Sequence, residues 1–258
     1  MRPSTSWFGA IDKEGYMNVL NMQRLLASLV LATIVLGGCV TSQPIPELSQ
    51  PQSSGLVIDV LLKAPIGIFS AKPDQVYFAK VDGEDGLLQQ QIIRSNYSKD
   101  GRAYLLNARP GTYVAVAAFL TRAGVPAGPP APGFSISVTM GTSGYTTYFS
   151  KELVEQTRVT VRENDFVFMG SYVLDQSTGL EGADAVQAHY KNVIAPGATT
   201  NVLLMGMSGN IHYRGTLIER RNDEQTRSEF FKNANEDLAG SAWATRLSDP
   251  SRKQPIAR

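Results

Sequence analysis

The chain has 258 residues, of which 43% are hydrophobic and 18% charged, and its formal net charge is +1. This globular composition argues against wholesale disorder, and the near-zero charge argues against nucleic-acid binding, because no basic surplus exists to neutralise phosphates. The single cysteine excludes an intrachain disulfide framework.

The first feature in chain order is an apolar segment that ends at this cysteine. Residues 25–36 carry no charge and follow Arg24. A transmembrane helix needs about 20 apolar residues, whereas a charged start, a shorter apolar run and small residues after it are typical of a secretory signal peptide. The alternative is a core helix with a buried cysteine, but no polar face interrupts the run. We therefore interpret residues 1–38 as a signal-peptide region.

The end of this region, Leu36-Gly37-Gly38-Cys39, resembles the bacterial lipobox. The resemblance implies a thioether-linked lipid on Cys39, cleavage after Gly38 and acylation of the new amino terminus. Three acyl chains, at about 0.8 kcal/mol per buried CH₂, would hold the protein in the membrane essentially permanently. Val40 rather than Asp follows the cysteine, which in enterobacterial lipoproteins implies the outer membrane, with the protein on the inner leaflet facing the periplasm.

Residues 1–21 precede the apolar run, and this is a longer upstream stretch than lipoprotein signals usually have. Met17 and Met22 both offer alternative starts. We therefore expect that Met1 is a mis-called start codon and that residues 1–21 carry no structure in the mature protein.

The composition changes after the cysteine. Residues 40–54 are rich in Ser, Gln and Pro, which predicts a lipidated cysteine with a flexible tether over residues 39–54 and a folded domain from about Gly55. Apolar or alternating runs then predict strands at residues 56–62, 75–81, 87–95, 103–107, 112–120, 134–140, 157–161 and 165–174. Seven or more short strands joined by turns favour a β-sandwich over residues 55–220.

Helices are predicted at three places. Ser150 is a candidate N-cap for a short helix over 150–155. Residues 178–207 are ambiguous, with a helix over 183–193 and a strand over 201–205. Apolar residues at i, i+3 and i+7 from Phe231 predict a C-terminal helix within 221–247, ended by Gly240, and residues 248–258 are expected to form a loose tail.

A turn motif connects the chain to known families. Arg109-Pro110-Gly111-Thr112-Tyr113, followed by an apolar strand, resembles the signature of transthyretin-like and carboxypeptidase-regulatory-like sandwiches, and of a group of small bacterial lipoproteins of unknown function, the DUF2846-like proteins. Over about residues 55–175, the resemblance implies an all-β, antiparallel β-sandwich in a lipoprotein, followed by a C-terminal helix, with no activity attached. Pro110 fixes φ and Gly111 supplies a free φ, so the motif serves a tight turn.

Few residues suggest chemistry. His189 and His212 are the only histidines, and proton transfer or zinc binding would need a carboxylate as well. They show no HExxH spacing, so ordinary surface or half-buried histidines are the alternative. The acidic turn at 82–86 lacks the later ligands of a calcium loop, which favours a plain hairpin turn. No nucleophile elbow or phosphate loop occurs, so we expect no catalytic residue, metal or cofactor.

The loop at 122–133 is the most unusual local composition of the domain. Its prolines are Pro126, Pro129, Pro130 and Pro132. Such a loop can contact a partner in polyproline II geometry, and the alternative is a solvated crossover loop.

Together these patterns predict a membrane-anchored envelope lipoprotein, a non-enzymatic binding or structural module that faces the periplasm and contacts an envelope protein or a glycan. One alternative is a periplasmic hydrolase with His189 or His212 as base, and another is a secretion- or stress-linked structural lipoprotein. Convergence of both histidines with a carboxylate in one pocket would favour the hydrolase, and separate exposed rings would disfavour it.

Overall fold

The computed structural model describes residues 43–63, 70–81, 88–123, 142–189, 191–192 and 211–248. Several predicted features lie outside these residues: the signal-peptide region with Cys39, the acidic turn at 82–86, the proline-rich loop, the strands at 134–140 and 201–205, and the tail from residue 249.

The described chain is mostly β, as the sequence predicts. Its strands are β1 (Ser54–Lys63), β2 (Ser70–Ala71), β3 (Gln75–Val81), β4 (Leu88–Arg94), β5 (Tyr97–Lys99), β6 (Arg102–Ala108), β7 (Gly111–Ala123), β8 (Thr142–Phe149), β9 (Val159–Val161), β10 (Phe166–Gly179) and β11 (Ile211–Arg221). Its helices are α1 (Lys151–Gln156), α2 (Gly182–His189), α3 (Glu224–Asp237) and α4 (Ala242–Leu247).

The described strands form one mixed sheet in the order β4-β3-β7-β8-β11-β10-β1-β6-β5, with β2 beside β1 and β9 beside β7. The pairs β1–β10 and β11–β8 are parallel, and the remaining pairs are antiparallel. The described pairing therefore differs from the antiparallel sandwich that the sequence predicts. Local alternation cannot reveal this, because parallel neighbours are joined by long connections and their pairing leaves no local signal.

The sheet curls until its two ends meet. Strands β4 and β5 lie at opposite ends of the strand order, yet only Ser95 and Asn96 separate them in the chain. The Ser95 amide donates to the Val76 carbonyl on β3 (2.8 Å), and the Asn96 amide donates to the Tyr104 carbonyl on β6 (2.9 Å). The two edges are thus joined at one bent corner.

Strand β1 is buried on both faces. Leu56, Val57 and Ile58 are all fully buried, although successive side chains of a strand point to opposite faces. Leu56 and Ile58 belong to the larger core within the curled sheet, whereas Val57 belongs to a second core. Helices α3 and α4 cover this second core, whose members are Val57, Tyr97, Tyr104, Leu106, Phe166, Phe168, Phe230, Ala234, Leu238 and Trp243.

The helices differ from prediction at one place. The Ser150 hydroxyl accepts from the Leu153 amide (3.3 Å) at the start of α1, which is the predicted cap. The helix predicted within 221–247 ends before Gly240, as expected, but a second short helix, α4, follows within the same range, so the range holds α3 and α4. Gly240 lies between them at φ +77°, a left-handed conformation that interrupts the helix and that glycine adopts without strain.

The Pro110-Gly111 motif forms the tight connection between β6 and β7. Gly111 has φ +149°, and a Cβ there would collide with the Lys80 side chain. The Tyr113 hydroxyl donates to the Arg109 carbonyl (2.6 Å), so the tyrosine of the motif closes the turn.

Candidate functional site

One cross-strand row carries two arginines and two tyrosines. Strand register places Arg94 opposite Tyr77, Tyr77 opposite Ala117, Ala117 opposite Tyr148, and Tyr148 opposite Arg214. Directly paired residues of neighbouring strands project from the same face of a sheet. The five side chains therefore share one face, with small Ala117 between the tyrosines and an exposed arginine at each end.

Both histidines lie beside one tyrosine of this row, Tyr148. His212 lies two residues before Arg214 on β11, on the same face, and its ring centroid is 5.9 Å from that of Tyr148. His189 is the last residue of α2, and its ring centroid is 6.3 Å from that of Tyr148. Its Nε2 lies 3.3 Å from the Phe149 carbonyl oxygen, to which an Nε2–H donates.

The polar atoms of this cluster are buried without partners. Tyr77, Tyr148 and His189 are 0%, 1% and 4% exposed. The hydroxyls of both tyrosines and the Nδ1 atoms of His189 and His212 make no hydrogen bond within the described structure. Buried polar atoms nearly always have a partner, and an unsatisfied one costs about 1–3 kcal/mol. We refer to Tyr77, Tyr148, His189 and His212 as the Tyr148 cluster.

Burial also shifts the pKa values of Tyr148, His189 and His212 toward their neutral forms. It raises the pKa of the Tyr148 hydroxyl, and Tyr77 adds to this effect. It lowers the pKa of His189, against the opposing hydrogen bond to Phe149 and with the help of nearby Arg214, and it lowers the pKa of His212. At neutral pH the Tyr148 hydroxyl is therefore protonated and both imidazoles are neutral.

A hydrolytic triad would need a carboxylate beside one of the two histidines. Within the described residues, no Asp or Glu forms a hydrogen bond or ion pair with either imidazole. The same residues contain no group of three or more His, Cys, Asp or Glu side chains that could hold a metal ion. Within the described part of the chain, the cluster thus offers hydrogen-bonding groups, with no carboxylate bonded to either imidazole.

A second feature lies directly after the predicted lipid-bearing cysteine. Residues 43–53, which we name the strap, lie against the domain. The Gln43 side chain donates to the Asn96 carbonyl (2.9 Å), and the Trp243 Nε1–H donates to the Pro46 carbonyl (2.8 Å). Trp243 is fully buried. The strap is therefore fixed at its start and near its middle.

The second half of the strap is held by two further side chains. Asn107 accepts from the Ser49 amide (3.0 Å) and donates to the Glu47 carbonyl (2.8 Å). Arg246 donates to the carbonyls of Pro51 and Ser53, and its guanidinium carbon lies 5.5 Å from the centroid of the Trp243 ring. Residues 43–53 of the expected tether thus have defined contacts, which the Ser/Gln/Pro composition conceals because most of them use main-chain atoms of the strap.

A buried carboxylate holds the covering helix. Asp237, at the end of α3, accepts from Arg102 Nε (2.6 Å), Arg102 Nη2 (3.0 Å) and the Tyr104 hydroxyl (2.6 Å). The Tyr97 hydroxyl donates to its main-chain carbonyl (2.8 Å). This network fixes α3 against β5 and β6, and the sequence offers no local signal for it.

The predicted site residues are distributed as follows. Leu36, Gly37, Gly38 and Cys39, and the loop prolines at 126–132, lie outside the described residues. Within the described part of the chain, no helix is long and apolar enough to cross a membrane. Comparisons with protein-family models, with curated proteins and with solved structures find no match to this chain.

Proposed function

We propose that the protein is a membrane-anchored envelope lipoprotein and acts as a non-enzymatic binding or structural module. The lone cysteine at the end of Leu36-Gly37-Gly38-Cys39 supports the anchor. Val40 after the cysteine supports a location at the outer membrane. In this proposal the domain faces the periplasm, and its partner is an envelope protein or a glycan.

The contacts that hold the strap against the domain are the structural observation that best supports this proposal. Four residue steps separate Cys39 from Gln43, and they span at most about 14 Å when fully extended. Because Gln43 is already bonded to Asn96, a lipid on Cys39 would keep the domain close to the bilayer. A fifteen-residue free tether would instead reach about 50 Å. The short reach suits a module that acts at the membrane surface.

Metabolic labelling tests the anchor. Cells that express the wild-type chain with radiolabelled palmitate should yield a labelled, membrane-bound protein, whereas Cys39→Ser should yield an unlabelled precursor. Thr41→Ala, two residues further on, is the matched control and should be labelled like wild type. Normal labelling of Cys39→Ser would contradict the proposal.

A periplasmic hydrolase is the second candidate, because both histidines converge on Tyr148. A neutral buried imidazole can serve as a general base, so His189 or His212 would fill that role. The test is hydrolysis of simple ester and amide substrates by the purified protein. Activity that is lost in His189→Asn or His212→Asn would support the hydrolase, and activity equal to the uncatalysed rate would exclude it for these substrates.

We also propose kinship of residues 55–175 with the transthyretin-like or carboxypeptidase-regulatory-like sandwiches. The support is the turn at Pro110-Gly111 with its tyrosine-to-Arg109 hydrogen bond. Solved structures of these families in which a Pro-Gly turn before an inner strand is closed by the same tyrosine-to-carbonyl hydrogen bond would support the kinship. Their turns lacking this hydrogen bond would contradict it.

A further inference from the structure

We propose that the Tyr148 cluster binds a phosphate group, which lies over Ala117 between the two tyrosine hydroxyls and contacts the imidazoles of His189 and His212. This site goes beyond the proposed function, since it needs neither the lipid nor the membrane.

Two phenolic hydroxyls and two imidazole nitrogens of the Tyr148 cluster are buried without hydrogen-bond partners within the described structure. Four such atoms in one cluster would carry a large penalty in the folded state. A polar ligand that satisfies them together removes this penalty, which is the reason to place a ligand here.

The smallest side chain of the row lies between its two tyrosines. Tyr77 and Tyr148 occupy the strands on either side of β7, and Ala117 stands between them. Neighbouring strands are about 4.8 Å apart, so the two tyrosine positions are separated by roughly 10 Å across a single methyl group. The two tyrosines therefore project from one face of the sheet on either side of Ala117.

Positive charge flanks the cluster on both sides. Arg94 and Arg214 stand at the two exposed ends of the row, and the guanidinium carbon of Arg94 lies 5.6 Å from the centroid of the Tyr77 ring. Within the described residues no carboxylate is bonded to any member of the cluster. Cations at both ends favour an anion, and charge-assisted hydrogen bonds to an anion are roughly twice as strong as neutral ones.

The unpaired Nδ1 atom of His189 distinguishes phosphate from other anions. A neutral His189 that donates from Nε2 to the Phe149 carbonyl has a lone pair on its buried Nδ1, which can only accept. The ligand must then offer a hydroxyl as well as acceptor oxygens. Phosphate near neutral pH carries both, whereas sulfate, of similar shape, has no proton to donate.

Nuclear magnetic resonance of the two histidines is the test. His189 and His212 are the only histidines, so the imidazole region of the purified full-length chain contains two ring systems. Titration with inorganic phosphate should shift both sets of signals along one saturable curve. Sulfate at equal concentration should bind at least tenfold more weakly, and glycerol phosphate shows whether a phosphate ester is accepted as well as the free ion.

Two tyrosine variants provide the comparison. Tyr148→Phe removes one donor to the anion and should weaken phosphate binding by about tenfold or more. Tyr145→Phe makes the same change on the same strand but on the other face, where the ring stacks on Tyr213 at 6.4 Å, and should leave binding unchanged. If Tyr148→Phe is unstable, Tyr77→Phe replaces it with the same expectation.

The absence of a saturable shift with phosphate would overturn the proposal. Equal affinity for sulfate, or binding that Tyr148→Phe and Tyr77→Phe leave unchanged, would overturn it as well. None of these results depends on lipidation, so failure of the phosphate site is distinguishable from failure of the anchor.

Discussion

At the residue scale, the polar side chains of the domain are of two kinds. Asp237 has a donor for each carboxylate oxygen and is only 3% exposed, so it fixes one helix to the sheet. In the Tyr148 cluster, Tyr77, Tyr148 and His189 are equally buried and His212 is half-buried, but each has a buried polar atom without a partner within the described structure. A fully paired buried group stabilises a unique arrangement, whereas unpaired groups are typical of sites that bind something.

The two histidines predict a pH dependence of stability. Burial holds the pKa of each below the ordinary value of 6.5, so the unfolded chain binds protons more tightly than the folded one just below that pH. The free energy of unfolding should be constant above pH 6.5 and should decrease as the pH falls below it.

Urea denaturation at pH 7.5 and pH 5.5, in buffer without phosphate, measures this change. Glu219 and Asp223 have pKa values held below their ordinary 4.5 and 3.8 by hydrogen bonds, so they do not titrate in this window. The double variant His189→Asn, His212→Asn should lose the decrease. A wild-type midpoint that rises toward pH 5.5 would contradict the assignment.

Asp237→Asn should destabilise the domain by about 3 kcal/mol, because it leaves Arg102 without its buried counter-ion. The control is Glu155→Gln, in an ion pair with Arg158 whose side chains are 53% and 34% exposed, and its effect should stay below about 1 kcal/mol. Equal losses of unfolding free energy in the two variants would contradict the role of Asp237 in holding α3 against the sheet.

At the element scale, α3 and α4 both cover the second core and hold the strap. Phe230 of α3 stacks on Phe168 of β10 with ring centroids 4.0 Å apart, which covers the second core. Trp243 and Arg246 of α4 hold the strap. The pair of helices therefore links the end of the described chain to its beginning.

Trp243→Ala should release the strap and destabilise the domain by about 3–5 kcal/mol, since a buried ring and its hydrogen bond to Pro46 are both lost. Trp243→Phe keeps an apolar ring and should lose about 1 kcal/mol from the hydrogen bond, with a further loss from the smaller ring. Limited proteolysis within residues 43–53 measures the release. Unchanged protection in Trp243→Ala would contradict the role of this side chain.

The β6–β7 turn gives another comparison. Gly111→Ala should cost more than about 2 kcal/mol, because its φ of +149° is a conformation that essentially only glycine adopts; the new Cβ meets only the flexible end of the Lys80 side chain, which can move aside. Gly240→Ala has only the backbone penalty, about 1–2 kcal/mol, because no atom lies within 4 Å of its Cβ position. Thermal unfolding of the two variants should show the larger loss for Gly111→Ala, and the reverse order would refute this explanation.

The sequence predicted elements better than their arrangement. Apolar runs located β1, β3 and β10 closely, and a serine located α1, because these signals are local. β8 and β11 were missed, since one begins with small polar residues and the other carries mostly exposed side chains. The Tyr148 cluster depends on the register of several strands and on α2, so the spacing of the two histidines could not reveal it.

At the scale of the whole molecule, the curled sheet places the strap and the Tyr148 cluster on different strands. The strap leads into β1 and lies near β6, whereas the cluster lies on β3, β8, β11 and α2. An anchor at the start of the chain and a ligand site on another part of the sheet need not interfere. This separation is compatible with a module that is held at a membrane while it binds.

Mass spectrometry of the amino-terminal peptide of the membrane-extracted protein tests the anchor most directly. The proposed function predicts a peptide that begins at Cys39 and carries a thioether-linked diacylglyceryl group and an amide-linked acyl chain. A peptide that continues from Gly38 into Cys39 with a free thiol would contradict it.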